Sequence, residues 1–298
     1  DGLLRKGSVS DKFRFIDENR QEYRVAKMCR LFGVSRGGYY QWLKQRECQI
    51  KQRDIELVAK IKHTFEKSRK TYGIDRIQKA LAALGIKAGT RKISRVMREN
   101  NLKVVTVKKY KATTNSRHSL PVFENLLNQE FKTDAPNQKW VSDITYVPTD
   151  EGWYYVATTV DLYQNKVIGW YGANHMRSDL VVECLRRSVT RSKPAGGLIH
   201  HSDRGIQYAS LRFRKELDKN KIRGSMSAKG NCYDNACAES FFGRFKSELV
   251  YQCRFKTREQ AAYAVFEYIE LFYNSNRIQK RLGYLSPNDY ENRYWLMQ

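Results

Sequence analysis

Three β-rich runs stand close together in the second half of the chain: "KWVSDITYV" (139–147), "GWYYVATTVDLY" (152–163) and "KVIGWYGA" (166–173). Val, Ile, Tyr, Trp and Thr dominate them, and only short turns separate them. Such runs pair as an antiparallel meander. That fixes one side of a sheet before any other element is placed. A helical pattern follows over 178–192. After it come a short strand in "GLIHHSD" (197–203), a helix over 209–220, a short strand in "KIRGSM" (221–226) and a long helix over about 234–250. Asp234 and Asn235 read as N-caps of that long helix. Thr257 with Gln260 predicts a capping box for one more helix, about 258–274. The order β-β-β-α-β-α-β-α is that of a ribonuclease-H-like fold: an α/β domain with a mixed five-stranded sheet and flanking helices.

The front of the chain reads as helices. In "EYRVAKMCRLFGVSRGGYYQWLKQ" (22–45), Val25, Met28, Cys29 and Phe32 mark one helix and Gly33 breaks it. Ser35 then caps a second helix carrying Tyr39, Trp42 and Leu43. Helix, short glycine turn, helix is the helix-turn-helix layout. It would place Arg36 at the start of a DNA-facing helix. An ordinary helical hairpin is the alternative, because Gly37 and Gly38 disfavour the second helix. Residues 50–69 read as one charged helix. Asp75 is expected to cap a helix with the stripe Ile77, Leu81 and Leu84, ended by Gly85, and Thr90 to cap the next. There Arg91, Arg95 and Arg98 share one face, Lys92 flanks it, and Ile93, Val96 and Met97 lie opposite. That segregation suits a recognition helix, with a plain solvated basic face as the alternative.

Charge divides the chain in the same way. Residues 1–120 carry 30 Lys and Arg against 11 Asp and Glu, a net of +19; residues 121–298 carry 25 against 20, a net of +5. A front part this basic points to a polyanion, most simply nucleic acid. A membrane surface is the weaker alternative, because no apolar anchor backs the charge. No run is long and apolar enough to predict a membrane span. The six cysteines lack zinc-site spacing and read as reduced. The chain starts without Met and is expected to be a fragment, a processed product or part of a longer fusion. The expected segments are a helix-turn-helix-like part over 1–50, a second helical DNA-binding domain over 51–107, a basic linker over 108–134 and a catalytic core with a helical tail over 135–298.

Asp143 lies inside the first strand among apolar neighbours, where a carboxylate is costly unless paired, solvated or bound to metal. Asp203 ends the fourth strand. In a ribonuclease-H-like sheet those strands are adjacent, which brings the two aspartates together. Glu239 follows Asp203 after 35 intervening residues, on a helix where Asn235, Glu239, Gly243 and Lys246 share a face. Three carboxylates near one point repel each other unless a divalent cation neutralises them. Oxygen-only ligands suit Mg²⁺ or Mn²⁺, and two such ions activate water or a 3′-OH against a phosphodiester. His200, His201 and Asp161 are lesser candidates, with strand packing or turn roles as alternatives.

"WVSDITYV", "HHSDRGIQY", "NCYDNACAESFFGRFKSEL" and "FYNSNRIQKRLGYLSPNDY", in this order, resemble an OrfB-type transposase of the insertion-sequence-3 family, within the DDE transposase and retroviral-integrase superfamily. Upstream, "VSRGGYYQWL" and "YGIDRIQKAL" resemble that family's N-terminal helices. The resemblance implies that Asp143, Asp203 and Glu239 are the catalytic, metal-binding triad. It implies that Lys246 is the basic residue seven after the glutamate, set against DNA. The implied activity is metal-dependent cleavage at an element's ends, then attack of the freed 3′-OH on DNA, through a circular intermediate. The implied partners are double-stranded terminal inverted repeats, target DNA and further copies of the chain, as a dimer or larger assembly. The implied location is the bacterial cytoplasm, on the nucleoid. Tyr273, Asn274, Arg277 and Arg281 fall in the tail motif and are expected to pack on the core or touch DNA. A nuclease without strand transfer and an inactive DNA-binding regulator are the rivals.

Overall fold

A computed structural model describes residues 8–105, 120–228 and 236–298. Residues 108–119 of the expected linker, and the expected caps Asp234 and Asn235, lie outside the described residues. The chain forms two compact units, divided between His63 and Thr64.

In the first unit, α1 (Val9–Glu18), α2 (Val25–Phe32) and the start of α3 (Arg36–Lys67) surround a small core of Phe13, Ile16, Met28, Cys29 and Tyr39. Gly33 ends α2 in the left-handed region at φ 64°, a conformation that glycine adopts without steric cost. Ser35 Oγ then accepts the Gly38 N–H at 3.2 Å, so the expected cap is present. Gly38 is explained by packing: a Cβ there would sit 3.2 Å from the Phe13 ring. The helices expected from Ser35 onward and over 50–69 are one continuous helix, because nothing in the sequence between them breaks it.

The second unit begins in the last turn of α3 and continues with α4 (Ile74–Ala83) and α5 (Thr90–Glu99). Neither expected side-chain cap is used. The N-caps are Gly73 and Gly89, and Asp75 and Thr90 fall inside their helices. Ile77 and Leu81 are buried, but Leu84 is 65% exposed, because α4 ends one residue before it.

The sheet contains β1 (Lys139–Thr149), β2 (Gly152–Asp161), β3 (Lys166–Ala173), β4 (Ile199–Ser202) and β5 (Arg223–Met226), in the order β3-β2-β1-β4-β5. β1–β2 and β2–β3 are antiparallel; β1–β4 and β4–β5 are parallel. Side chains alternate between two cores. Val141, Val147, Val156 and Val160 pack under α9 (Ala236–Glu248) and α10 (Arg258–Phe266), with Phe241, Phe245 and Ile269. Trp140, Ala157 and Ile168 face α6 (Ser178–Ser192) and α8 (Leu211–Lys219), with Leu185 and Phe213. A one-turn helix, α7 (Ile206–Ala209), leads into α8.

The tail packs on the core. Thr257 caps α10 by accepting the Gln260 N–H, but Gln260 reaches back to the Lys256 N–H, so the capping box is shifted by one residue. α10 widens into π-helical turns over Glu267–Tyr273. The Asn274 amide exchanges two hydrogen bonds with Val167 of β3, at 3.0 and 2.9 Å. Tyr273 Oη donates to the Asn165 carbonyl, and Arg281 to the Leu162 carbonyl. Arg277, 2% exposed, grips Glu248 of α9 through Nη2 at 2.6 Å and Nε at 2.9 Å, and Tyr268 Oη donates to the same carboxylate. α11 (Pro287–Trp295) follows, with Ser286 as its N-cap. Among the described residues no helix is long and apolar enough to cross a membrane.

Candidate active site

The β1–β4 ladder pairs Trp140 with His200 and Val141 with His201. Two residues further along the parallel register, Asp143 stands level with Asp203. Asp143 shares the parity of Val141, so it faces the side covered by α9. β4 ends at Ser202, which leaves the edge of β1 open beside Asp143. Sheet order, register and the early end of β4 together set two carboxylates at one cleft.

Each aspartate accepts a hydrogen bond from its own stretch of backbone. Asp143 Oδ1 accepts its neighbour's N–H, from Ile144, at 2.7 Å. Asp203 Oδ1 accepts the Gly205 N–H at 2.9 Å and so shapes the entry to α7. A Cβ at Gly205 would lie 2.9 Å from that oxygen, so a side chain there would push the Asp203 carboxylate aside. Asp143 is half-buried. Desolvation first, then the charge of Asp203 and that of Glu239, hold it well above the usual carboxylate range, against the pull of the Ile144 N–H and Lys246. Glu239 stands exposed in the first turn of α9, and desolvation raises its carboxyl as well. Asp143 therefore senses both other carboxylates. Among the described residues, however, no three His, Cys, Asp or Glu side chains converge on one point. Two buried hydroxyls without a partner lie beside Asp143: Thr158, directly across the ladder, and Thr145, two residues along β1. A carboxyl held above its usual range by a second aspartate, beside unsatisfied hydroxyls, fits an oxygen-bound divalent cation.

Lys246, expected to be set against DNA, is buried rather than on the surface. It is 5% exposed, with Nζ 4.9 Å over the Tyr146 ring. Burial lowers its pKa, while Tyr146 and Asp143 oppose the shift. The second half of α9 is buried on every side because the tail wraps it, so helical periodicity does not identify its solvent face.

Family models for an integrase core domain match residues 133–232 and 239–294, and a model for a helix-turn-helix-like domain matches 51–110. An insertion element IS600 protein of 31 kDa from Shigella sonnei is 43% identical over 270 residues, 91% of this chain and 99% of that protein. The transposase InsF of insertion sequence IS3A from Escherichia coli strain K12 is 38% identical over 287 residues, 95% of this chain and 99% of that one. The chain belongs to the insertion-sequence-3 transposase family. It is a DDE integrase-core transposase, a polynucleotidyl transferase of DNA transposition. Distant solved structures include the HTLV-2 integrase catalytic core domain in complex with magnesium, with a TM-score of 0.42 and 15% identity over 54% of this chain and 99% of that one. The simian T-cell lymphotropic virus intasome gives a TM-score of 0.43 and 18% identity over 68% and 66%.

The transposase uses its other candidates structurally. His200 is buried and kept neutral, its pKa pushed down to about 3 by burial and by His201. Its Nε2 pairs with Ser142 Oγ at 2.8 Å. His201 lies between Ser225 and Ser227, at 2.8 and 3.2 Å. Asp161 pairs with Trp140, three residues before Asp143 on β1, and so sits away from the aspartate pair. It accepts the Asn137 N–H, the Tyr163 N–H and Trp140 Nε1–H, at 2.6, 2.8 and 3.1 Å. Arg277, Asn274, Tyr273 and Arg281 are bound to the core. On α5 the faces divide as expected: Arg91, Arg95 and Arg98 are exposed, and Ile93, Val96 and Met97 are buried. The three arginines, with Ile74, Thr90 and Ser94, line an open depression of about 340 Å³. Lys92 is half-buried beside them.

Proposed function

We propose that Asp143, Asp203 and Glu239 hold two Mg²⁺ or Mn²⁺ ions, and that this site both hydrolyses a strand at the element's ends and transfers the freed 3′-OH to target DNA. The observation that carries this reading is the β1–β4 register, which, extended by two residues, sets Asp143 level with Asp203 at the open edge of β1, where the Asp203 charge helps hold the Asp143 carboxyl above its usual range. When bound, the metal polarises the phosphodiester and activates the attacking oxygen. The protein's own part is to aim three carboxylates from three elements. Glu239, alone on a helix turn, has to move towards the aspartates, since the three do not already converge. No covalent enzyme intermediate is required. Joining two ends requires two DNA ends to be held at once, which favours a dimer or larger assembly on the nucleoid. Mg²⁺-dependent cleavage of cognate end DNA by the full chain is the test, and absence of any metal-dependent product leaves only a DNA-binding role.

Lys246 supplies positive charge beside this pair, where it helps seat the phosphate flanking the scissile bond. Lys246→Met keeps the packed stem and removes the charge. It should lower strand transfer about tenfold or more without raising the Mg²⁺ concentration for half-maximal activity. A Mg²⁺ titration at saturating DNA checks this; a raised requirement would make Lys246 part of the metal site instead.

The exposed face of α5 binds the DNA backbone and base edges. Arg95 is partly engaged by Glu99 at 3.9 Å, a weak exposed pair, so Arg91 and Arg98 carry the larger share. Replacing an arginine that touches a phosphate should weaken binding on every sequence and flatten the salt dependence by about one charge. Replacing one that reads a base edge should cost about 1–3 kcal/mol on cognate ends alone. Unchanged affinity and salt slope in the triple alanine variant would make this a plain solvated face. Arg36, exposed at the start of α3 after the Gly33 turn, plays the corresponding part in the first unit.

A further inference from the structure

Tryptophan is highly buried on average, yet Trp153 is 48% exposed. It stands at the start of β2, opposite Pro148 of β1. Its ring meets the Tyr146 ring edge-on, with centroids 4.8 Å apart. Strand alternation puts both rings on the face of Ile144 and Tyr155, away from α9. Lys246 comes from α9 on the other face, and its Nζ lies 4.9 Å over the Tyr146 ring. Lysine and tyrosine therefore meet at the edge of β1 that β4 leaves open beyond Ser202. The tryptophan's backbone is pinned: Arg258 Nε donates to its carbonyl at 3.1 Å, and Arg258 Nη2 to the Glu151 carbonyl at 2.6 Å. The aromatic pair is thus a preformed surface. Positive charge flanks it. Phe255 bridges to Thr149 at the end of β1, and its neighbours Arg254 and Lys256 are exposed. The Arg254–Asp150 pair, at 3.2 Å, is exposed and so weak. Tyr146 stands three residues beyond Asp143, about 10 Å along β1. Stacked bases rise about 3.4 Å each, so on a strand running along β1 the pair lies about three nucleotides from a phosphate held at the aspartates.

We infer that Tyr146 and Trp153 form a stacking platform for an unpaired base of the element's end, close to the scissile phosphate, with Arg254 and Lys256 set against neighbouring phosphates. This rests on the reading of Asp143, Asp203 and Glu239 as the cleavage site. The flanking charge favours a nucleotide over an apolar protein segment, and every base has a π-face to offer. Such a platform accepts any base, so it holds the end open without reading its sequence.

Trp153→Leu keeps apolar bulk and removes the aromatic face; Trp153→Phe keeps a face. The probe is an element-end duplex with about five nucleotides left unpaired beside the cut, and its affinity for the full chain is measured by fluorescence anisotropy. Trp153→Leu should bind it about tenfold more weakly than the wild type, and Trp153→Phe within about threefold. Abasic sites are then placed at each unpaired position in turn. At one position the abasic site should weaken the wild type about tenfold and leave Trp153→Leu unaffected, because the same stack is already lost. A general loss of structure would not be confined to one position. Equal affinities of wild type and Trp153→Leu, or an equal response of both to every abasic site, would overturn the inference. So would a wild type indifferent to every abasic site. Mg²⁺-dependent cleavage of the same end by the wild type is measured alongside. Cleavage without that coupling sinks the platform alone; no cleavage removes the cleavage-site reading, and the platform with it.

Discussion

Asp143→Asn, Asp203→Asn and Glu239→Gln should each lower Mg²⁺-dependent cleavage and strand transfer by about a thousandfold or more, with DNA binding nearly unchanged. Each change removes charge and leaves bulk. The three act as one unit, so the double variant Asp143→Asn/Asp203→Asn should be scarcely slower than either single one. The same substitutions carry an opposite signature in stability. Desolvation and the neighbouring carboxylates raise the folded-state pKa of Asp143 above its unfolded value. A group shifted that way stabilises the fold fully below its unfolded pKa, and that contribution is lost as pH rises through the folded one. At neutral pH the metal-free wild type therefore bears the repulsion, and Asp143→Asn should melt no lower and unfold with a weaker pH dependence. Assays of end cleavage with and without Mg²⁺, paired with thermal melts across pH, check both halves. Near wild-type activity in any one variant would remove that residue from the site.

Arg277→Met should destabilise the protein by about 3–5 kcal/mol, because it strands the Glu248 carboxylate in the core. The pair is nearly closed to solvent, with side chains 3% and 8% exposed, so water cannot replace the guanidinium. Removing both charges, as in Glu248→Gln/Arg277→Met, should recover much of the loss, since the amide still offers an acceptor to Tyr268 Oη. Urea unfolding of the two single variants and the double variant measures the coupling. A loss below about 1 kcal/mol in Arg277→Met would mean that the tail is held by its apolar packing and the Asn274–Val167 bonds alone.

The sheet is legible in the sequence because its signal is local. Alternation and β-branched residues mark β1, β2 and β3 nearly to their ends, and the order of elements is enough to place β4 beside β1. Helix starts are harder to read. Gly73 and Gly89 cap α4 and α5 without a side-chain hydrogen bond, so the nearby Asp75 and Thr90 imitate caps one or two residues too late. The tail is expected to pack on the core or touch DNA, and its Tyr273, Asn274, Arg277 and Arg281 pack on the core. The partner that makes burying Arg277 tolerable, Glu248, lies 29 residues away, and nothing local in the sequence points to it. Helical spacing sets Lys246 on the face of Glu239, but its burial against the Tyr146 ring of β1 is visible only in three dimensions.

The most direct test of the aspartate–glutamate site is a strand-transfer assay with a pre-cleaved end. The full chain, Mg²⁺, a cognate end duplex ending in a free 3′-OH and a plasmid target are incubated together, and joined product is counted by sequencing. The predicted result is metal-dependent joining of that 3′-OH to target DNA, abolished in Asp143→Asn, Asp203→Asn and Glu239→Gln. Joining that persists in any of these variants, or Mg²⁺-dependent hydrolysis with no joined product, would contradict it.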